Sequence, residues 1–231
     1  FVQAISVDVA SAAQMAETVR FCEASFGPCD ILIASAGIVE PCAFDTMPTS
    51  VFDEQISINF LGTANAVRAV YSGMKSRRSG RIMMISSGAA LIGIFGYTAY
   101  CASKSALAGF AEALSAEAAA SNVQISICFP PDTMTPQYRR EISLRPREAE
   151  LLMGTVKPWS AEAVAARIVQ GVDRGSRRIH FGFSLTALAF FGPLIKPPLL
   201  WWLSRKTRKI SGEHADHGLA DVTEQSFDRD K

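Results

Sequence analysis

A tyrosine and a lysine stand four residues apart in the stretch YCASK, residues 100–104, inside an apolar run rich in alanine. On a helix, residues at this spacing lie on one face, one turn apart. An ammonium group beside the Tyr100 phenol would favour the phenolate and so lower the pKa of the tyrosine. A phenol that titrates nearer neutrality can give a proton to an oxygen atom and take it back. Tyr100 and Lys104 therefore predict proton transfer, and the competing interpretation is an exposed polar pair on an amphipathic helix.

The chain around this pair alternates between runs typical of strands and runs typical of helices. Strand-like runs occupy residues 2–9, 30–37, 81–87, 123–129 and 177–181, and helical patterns occupy 11–27, 50–78, 99–119 and 160–173. This alternation predicts right-handed crossovers and one parallel sheet, which is an α/β fold. Ligands of such sheets bind beyond the carboxyl ends of the strands. The turns 34–37, 86–87 and 130–136 fall at those ends, and we expect the site there.

Two of the predicted helices begin with a capping-box pattern. Ser11 and Gln14 are expected to cap the first helix, which a glycine ends at Gly27. Ser50 and Asp53 are expected to cap the second helix in the same way.

The composition is that of one ordinary globular domain. The chain has 231 residues, of which 48% are hydrophobic and 19% charged, and its net charge is +1. This balance supports a sizeable core and gives no reason to expect a nucleic-acid partner. The five cysteines include no CxxC pair and indicate free thiols in a reducing compartment. His214 and His217 stand in a polar tail without a neighbouring cysteine, so no metal site is predicted.

Two further polar residues stand close to the tyrosine in sequence. Ser87 ends the strand-like run RIMMISS, 13 residues before Tyr100, and Asn59 lies in the preceding helical run QISINFLGT. Together with Lys104, these residues resemble the Asn–Ser–Tyr–Lys tetrad of the short-chain dehydrogenase/reductase family. The resemblance covers roughly residues 1–180. It implies a Rossmann-like, doubly wound parallel sheet.

The resemblance implies a role for each member of the tetrad. Tyr100 would be the general acid of ketone reduction, and Ser87 would donate a hydrogen bond to the substrate carbonyl. Lys104 would lower the tyrosine pKa and hydrogen-bond the nicotinamide ribose. Asn59 would hold a water that links the lysine to solvent, and the alternative for it is a buried asparagine that braces a helix. Ser86 is the rival of Ser87, and the family spacing favours Ser87.

Further positions resemble the family's cofactor contacts. Asp8 is similar to an aspartate beside the adenine ring, and residues 130–135 are similar to a PGxxxT loop over the nicotinamide. The cofactor-binding residues implied in this way are Asp8, Val9, Ala36, Gly37, Tyr100, Lys104, Pro130, Thr133 and Thr135. Two features depart from the family pattern. Pro131 replaces a glycine and stiffens its loop, and Ala34 and Ser35 replace the two asparagines of a turn that usually reads Asn-Asn-Ala-Gly.

The beginning of the chain differs most from the family. A family member opens with a strand, a TGxxxGxG turn and a helix that cradles the cofactor pyrophosphate, and residues 1–10 supply none of these. Residues 2–9 correspond to the third strand of a sheet whose order is 3-2-1-4-5-6-7. We therefore expect an N-terminally truncated sheet that leaves a gap, pairs residues 2–9 directly with 30–34, or is completed by a longer parent protein. No signal peptide is predicted.

Within the family, the run FPPDTMTPQY is most similar to a branch that reduces the 3-keto group of a long-chain amino ketone in sphingolipid synthesis. That branch implies NADPH as the cofactor, although the residues that select NADPH over NADH normally end the second strand, which is absent. Two alternatives stay open. One is reduction of another lipid-like ketone, 3-oxoacyl or steroid, and the other is a catalytically silent fragment that acts only as a binding module.

An apolar segment follows the predicted reductase domain, residues 1–181. The run 181–195 carries no charge but is shorter than the roughly 20 residues of a membrane span. Two tryptophans then precede the basic cluster 205–209, as at a membrane interface. We expect residues 182–210 to anchor the protein to a membrane, and a buried helix or a dimer contact is the alternative.

The expected location follows from that anchor. The catalytic domain would face the cytoplasm at a membrane surface, which is the endoplasmic reticulum in a eukaryote, and a cytoplasmic protein is the alternative. Family members are commonly dimers or tetramers, so the resemblance also admits a homo-oligomer. The polar tail, residues 211–231, is expected to be disordered.

Overall fold

The structure, a computed structural model, describes residues 2–154 and 157–227, with side chains described as far as residue 208. Six strands lie in this part of the chain: β1 (Ile31–Ala34), β2 (Gly80–Ile85), β3 (Val123–Phe129), β4 (Thr133–Met134), β5 (Trp159–Ser160) and β6 (Arg178–His180). Four of them form one parallel sheet in the order β1-β2-β3-β6, and β4 pairs with β5 in a short parallel ribbon. The predicted parallel α/β sheet is confirmed.

Eight α-helices occupy the described residues: α1 (Ala12–Phe26), α2 (Thr49–Ile56), α3 (Thr63–Ser76), α4 (Thr98–Ala118), α5 (Pro136–Leu144), α6 (Arg147–Met153), α7 (Ala161–Asp173) and α8 (Gly182–Phe227). A six-residue π-helical segment, Ser57–Gly62, joins α2 to α3 without a break. Each of the strands β1, β2 and β3 is followed by helix before the next strand of the sheet, which gives the crossovers that parallel strands require.

Helices cover both faces of the sheet, so the fold is doubly wound as predicted. Strand β2 sends Ile82 and Met84 into a cluster with residues of α3 and α4, and sends Met83 into a second cluster with residues of α7. Successive strand side chains point to opposite faces, so an uninterrupted apolar run such as RIMMI is what a strand covered on both sides requires.

Residues 2–9 are not a strand, and direct pairing with β1, one of the three expected arrangements, does not form. A β-strand is defined by its hydrogen bonds to a neighbouring strand, and β1 pairs only with β2 in the described structure. The segment is held instead by Asn65, whose side-chain amide donates to the carbonyls of Val9 (3.0 Å) and Ala10 (3.2 Å). The β-branched composition therefore correctly indicated an extended segment, but the strand predicted from it is wrong.

One of the two predicted helix caps forms. The Ser11 hydroxyl accepts a hydrogen bond from the N–H of Gln14 (3.3 Å) at the start of α1. The cap predicted at Ser50 is wrong, because the second helix begins at Thr49 after Pro48, with no side-chain cap. A proline suits a helix start, since its φ is already helical and it has no N–H to leave unpaired.

The last described element is the long helix α8, which bends at Phe191 (φ −111°, ψ 16°) just before Pro193. Residues Gly182–Arg208 have a mean hydropathy of 1.4 and are almost entirely unburied, which makes this stretch long and apolar enough to cross a membrane. The helix continues through Pro197 and Pro198, so its apolar length exceeds the 15 residues counted in sequence. Its backbone is helical to Phe227, and residues 228–231 of the predicted tail lie outside the described residues.

Candidate active site

Tyr100 lies in the first turn of α4, half-buried, at the carboxyl edge of the sheet. Its side chain shares a hydrogen bond with Ser87, which follows β2 by two residues. Ser87 is held in turn by capping a short 3-10 turn, where its hydroxyl accepts from the N–H of Ala89 (3.1 Å). The structure thus brings two of the four tetrad residues into direct contact where a parallel sheet binds its ligands.

The neighbouring Ser86 has a different task. Its buried hydroxyl donates to the main-chain carbonyl of Lys104 (2.8 Å), which ties α4 to the end of β2. Its N–H donates to the carbonyl of Cys128 on β3 (3.0 Å). Because the single hydroxyl proton of Ser86 is used in this bracing, Ser87 is the serine that meets the phenol.

Lys104 lies one turn beyond Tyr100, with only 4% of the residue exposed. Its Nζ donates to the carbonyl of Ile85 (3.1 Å) and lies 5.7 Å from the centroid of the Tyr100 ring. Burial lowers the pKa of Lys104 to about 8, against a smaller opposing effect of the neighbouring Cys128. The buried lysine is therefore close to titrating at neutral pH.

The pKa of Tyr100 departs from the expectation. Burial raises it, the hydrogen bond with Ser87 lowers it in part, and the negative charges of Glu141 and Asp132 raise it further. Lys104 was expected to lower this pKa, but burial and the two carboxylates outweigh such an effect of the ammonium, which lies 5.7 Å from the centroid of the Tyr100 ring. Without a bound ligand, the phenol therefore keeps its proton at neutral pH.

Asn59 is fully buried in the π-helical segment, and it braces the site as one of its two interpretations expected. Its Oδ1 accepts from the N–H of Ile38 (2.7 Å), and its Nδ2 donates to the carbonyl of Ile38 (2.9 Å) and to the hydroxyl of Ser103 (3.0 Å). The asparagine thereby ties the turn after β1 to helix α4. π-helical segments occur frequently at functional sites, because the wider turn redirects a side chain.

The turn after β1 passes directly over the lysine. A Cβ placed on Gly37 would lie 3.1 Å from the Lys104 Nζ and 3.2 Å from the Asn59 Oδ1. Both contacts are tight, so a glycine is what allows this close approach. Ala36, the preceding residue, is exposed.

Asp8 and Val9, which were predicted to contact a cofactor, lie in the extended segment before α1. The Asp8 carboxylate accepts from the N–H of Ala10 (2.9 Å), a local turn contact. The Val9 side chain packs against Gly62 of the π-helical segment, in the space that a side chain at position 62 would occupy. The segment is thus packed on the π-helical segment that carries Asn59.

The loop after β3 is the one that was compared with a nicotinamide loop. The Pro130 carbonyl accepts from the N–H of Gly88 (2.8 Å), which joins this loop to the turn of Ser87. The Thr133 hydroxyl donates to the Pro131 carbonyl (2.8 Å), and the Thr135 hydroxyl caps α5. Both predicted threonines therefore already have local partners.

A buried network beside Tyr100 was not predicted from the sequence. The Tyr97 hydroxyl donates to Glu141 (2.7 Å), and Arg145 bonds Glu141 (2.8 Å), Asp132 (3.2 Å) and the Tyr97 oxygen (3.2 Å). The Tyr97 ring meets the Tyr100 ring edge-on, with centroids 6.3 Å apart. Glu141 and Arg145 have the spacing of a helical ion pair, but no sequence pattern joins them to residues 97 and 132.

A cleft of about 260 Å³ lies at the other side of β6, between α7 and the start of α8. It is lined mainly by polar and basic residues, among them Arg167, Arg174, Arg178 and His180. It includes none of the predicted site residues, so we place the candidate active site at Tyr100 and not in this cleft.

Comparison with known proteins gives consistent matches. A family model described as short chain dehydrogenase matches residues 2–143. The chain is 39% identical over 179 residues to the 3-ketodihydrosphingosine reductase of Bos taurus, across 77% of this chain and 54% of that protein. It is 38% identical over 188 residues to the 3-dehydrosphinganine reductase of Danio rerio, across 80% of this chain and 57% of that protein. The chain thus spans little more than half the length of these relatives.

A solved structure shares the fold. The crystal structure of a short-chain dehydrogenase from Streptomyces avermitilis matches with a TM-score of 0.65 at 20% identity, across 99% of this chain and 81% of that one. At this identity the likeness concerns the fold alone.

Proposed function

This chain belongs to the short-chain dehydrogenase family, and on that premise we propose that the whole protein reduces the 3-keto group of a long-chain 2-amino ketone to a secondary alcohol. This is the reaction that the name 3-ketodihydrosphingosine reductase describes for its relatives. The observation that carries the proposal is the contact between Ser87 and Tyr100, with the buried Lys104 behind them.

In the proposed reaction, the chain's own residues handle the carbonyl oxygen. Tyr100 keeps its proton at neutral pH and gives it to that oxygen while the carbon is reduced. Ser87 donates a hydrogen bond to the same oxygen and stabilises the charge that develops there. Lys104, with a pKa of about 8, exchanges a proton readily and can help to restore the proton that the tyrosine has lost. Asn59 holds the turn and the helix on which this arrangement depends.

A nicotinamide cofactor would supply the hydride, and the residues around Gly37 fit one. The glycine brings the main chain close to the Lys104 ammonium without a side chain between them. We propose that Lys104, Gly37 and Ala36 hold the nicotinamide end, with Pro130, Thr133 and Thr135 closing over it, and that Asp8 and Val9 hold the adenine end. NADPH is the proposed form, from the resemblance to the relatives.

The helix α8 suits an insoluble substrate. A Cβ on Gly88 would lie 2.9 Å from the Leu185 side chain, so the first turn of α8 packs directly beside Ser87. From there the helix continues with exposed apolar residues to the adjacent Trp201 and Trp202. We propose that α8 anchors the protein in a membrane and that a lipid-like ketone reaches Tyr100 along it, with the domain on the cytoplasmic side.

The test is ketone reduction by the protein with its complete sequence. Tyr100→Phe removes only the proposed acid and should lower kcat for the 2-amino-3-ketone with NADPH by about 10²- to 10⁴-fold, while the NADPH affinity stays unchanged. Tyr71→Phe is the matched control, because the buried Tyr71 hydroxyl has no hydrogen-bond partner among the described residues and lies in α3, away from the site. It should leave turnover at the level of the wild type. Turnover within tenfold of the wild type in Tyr100→Phe would remove Tyr100 as the acid.

The substrate class is tested in the same assay. The wild type should reduce the 2-amino-3-ketone and should reduce a 3-oxoacyl thioester of equal chain length far more slowly. A preference for the thioester would keep the reductase chemistry and contradict the proposed substrate.

A further inference from the structure

The network of Tyr97, Asp132, Glu141 and Arg145 carries more negative than positive charge. It contains two carboxylates and one guanidinium, while the Tyr97 phenol is neutral because burial and Glu141 raise its pKa. Among the described residues, Arg145 is the one cation within ion-pair distance of either carboxylate. Removing a charge from water without a counter-charge costs free energy. Binding one more cation to this network would therefore be electrostatically favourable.

Asp132 is the member of the network that stays accessible. The Arg145 side chain is only 5% exposed, while 21% of the Asp132 side chain is open. Arg145 binds the Asp132 Oδ2, and no hydrogen bond to Oδ1 occurs within the described structure. One carboxylate oxygen is thus available to a ligand.

The position of Asp132 places it beside the proposed reaction. It follows Pro130 by two residues, and the Pro130 carbonyl is bonded to the N–H of Gly88, the neighbour of Ser87. The negative charges of Asp132 and Glu141 both raise the pKa of Tyr100, so the excess charge acts directly on the phenol. A ligand that reacts at Tyr100 and Ser87 must therefore lie in the field of these carboxylates.

We propose that Asp132, backed by Glu141, binds the protonated amine of a 2-amino-3-ketone while Tyr100 and Ser87 hold its carbonyl. The inference rests on the proposed function and names what distinguishes this substrate from other ketones. In such a ketone, as in an amino acid, the nitrogen lies about 3 Å from the carbonyl oxygen. The amine therefore enters the site together with the carbonyl, and its charge balances the excess of the network. It also offsets the effect of the two carboxylates on Tyr100, which makes the phenol a better acid once the substrate is bound.

The experiment compares two substrates on the full-length protein with NADPH. One is the long-chain 2-amino-3-ketone and the other is the same 3-ketone without the amine. Asp132→Asn should lower kcat/KM for the amino ketone by about 10- to 100-fold and change it for the amine-free ketone by less than about threefold. Asp132→Glu, which keeps the charge, should restore part of the loss. Glu112→Gln is the matched control, because it removes an ion-paired carboxylate on the exposed side of α4.

The ratio of kcat/KM for the two ketones does not depend on how much of a variant is folded. Both rates are measured on one preparation, so a lower fraction of folded protein cancels in the ratio. If Asp132→Asn does not fold, the wild type can still overturn the inference, since it must prefer the amino ketone by at least about tenfold. Equal use of both ketones by the wild type, or equal loss for both in Asp132→Asn, would overturn the inference and leave ketone reduction standing. Reduction of neither ketone by the wild type would contradict the proposed function itself.

Discussion

At the scale of single residues, Lys104 keeps a charge where little solvent reaches it. Its ammonium has one hydrogen bond, to the Ile85 carbonyl, and no carboxylate within ion-pair distance in the described part of the chain. Removing a lysine charge from water favours the neutral amine, which is why its pKa falls to about 8. The structure tolerates this cost, which is expected where a group serves chemistry rather than stability.

Lys104→Met should therefore remove a pH dependence of stability. The pKa of Lys104 is about 8 in the folded protein and 10.5 ordinarily, so between these values the unfolded chain binds more protons and stability rises with pH. Below that window the charge is present in both states and its burial cost is complete, and above the window the cost is gone. Relative to Lys104→Met, the free energy of unfolding of the wild type should rise by about 3 kcal/mol across the window.

Urea titrations of both proteins at several pH values provide the measurement. Groups whose pKa values do not depend on Lys104 are common to both proteins and cancel in the difference. Cys128, whose pKa the Lys104 charge lowers, is replaced by alanine in both proteins so that it does not contribute. Parallel stability curves for the two proteins would mean that the ammonium is hydrated in the folded state.

The sequence predicted the placement of Tyr100 and Lys104 better than their electrostatics. The spacing of Tyr100 and Lys104 correctly placed both on one face of α4, since the helical repeat alone fixes that. The direction of the Tyr100 pKa was wrong, because it depends on burial and on carboxylates brought in by α5 and the loop after β3. Those contacts join residues more than 30 positions apart in the chain, which no local pattern reveals.

At the scale of elements, the π-helical segment Ser57–Gly62 connects the extended N-terminal segment to the site. It carries Asn59 on one side and receives Val9 against Gly62 on the other. A Cβ on Gly62 would lie 2.7 Å from the Val9 Cγ2, a distance that forces one of the two to move.

Gly62→Ala should consequently destabilise the protein, although alanine is the better helix former. We expect a loss of about 1–3 kcal/mol in the free energy of unfolding, together with weaker NADPH binding, because Val9 is a proposed cofactor contact. Gly73→Ala in α3 is the control, since the nearest atom to its added Cβ is the Arg77 Nη1 at 3.4 Å. That variant should be stabilised by about 0.5–1 kcal/mol. Equal shifts of the two variants in urea titrations would show that Val9 yields freely.

The elements of the sheet differed in how well the sequence predicted them. The run VQISICF matches β3 from its first residue to its last, because it is apolar, β-branched and stopped by prolines. Residues 2–9 have a similar composition and are not a strand. Strand propensity describes how well a segment pairs with a neighbouring strand. Whether such a strand lies beside the segment depends on the tertiary structure.

At the scale of the whole molecule, apolar surface is concentrated at one end of the chain. The largest exposed apolar side chains include Phe183, Phe190, Phe191, Leu194, Trp201 and Trp202, all on α8. The guanidinium of Arg205 stacks over Trp201, 4.3 Å from the ring centroid, and Lys206 lies over Trp202. Aromatic residues beside cations at the end of an apolar helix are typical of a membrane–water interface.

Leu194→Glu should release the protein from membranes without unfolding it. Leu194 is 76% exposed in the middle of the apolar stretch, so a carboxylate there meets water in solution and hydrocarbon in a bilayer, where it costs about 2.5–3.5 kcal/mol. Co-sedimentation with vesicles of zwitterionic lipid measures the apolar contribution, and vesicles that also contain anionic lipid add that of the basic cluster. Val169→Glu is the control, because Val169 is 52% exposed on α7 and has no proposed membrane contact. If both variants sediment like the wild type on either kind of vesicle, α8 does not enter the bilayer. Its apolar face would then need a protein partner, such as a second copy of this chain.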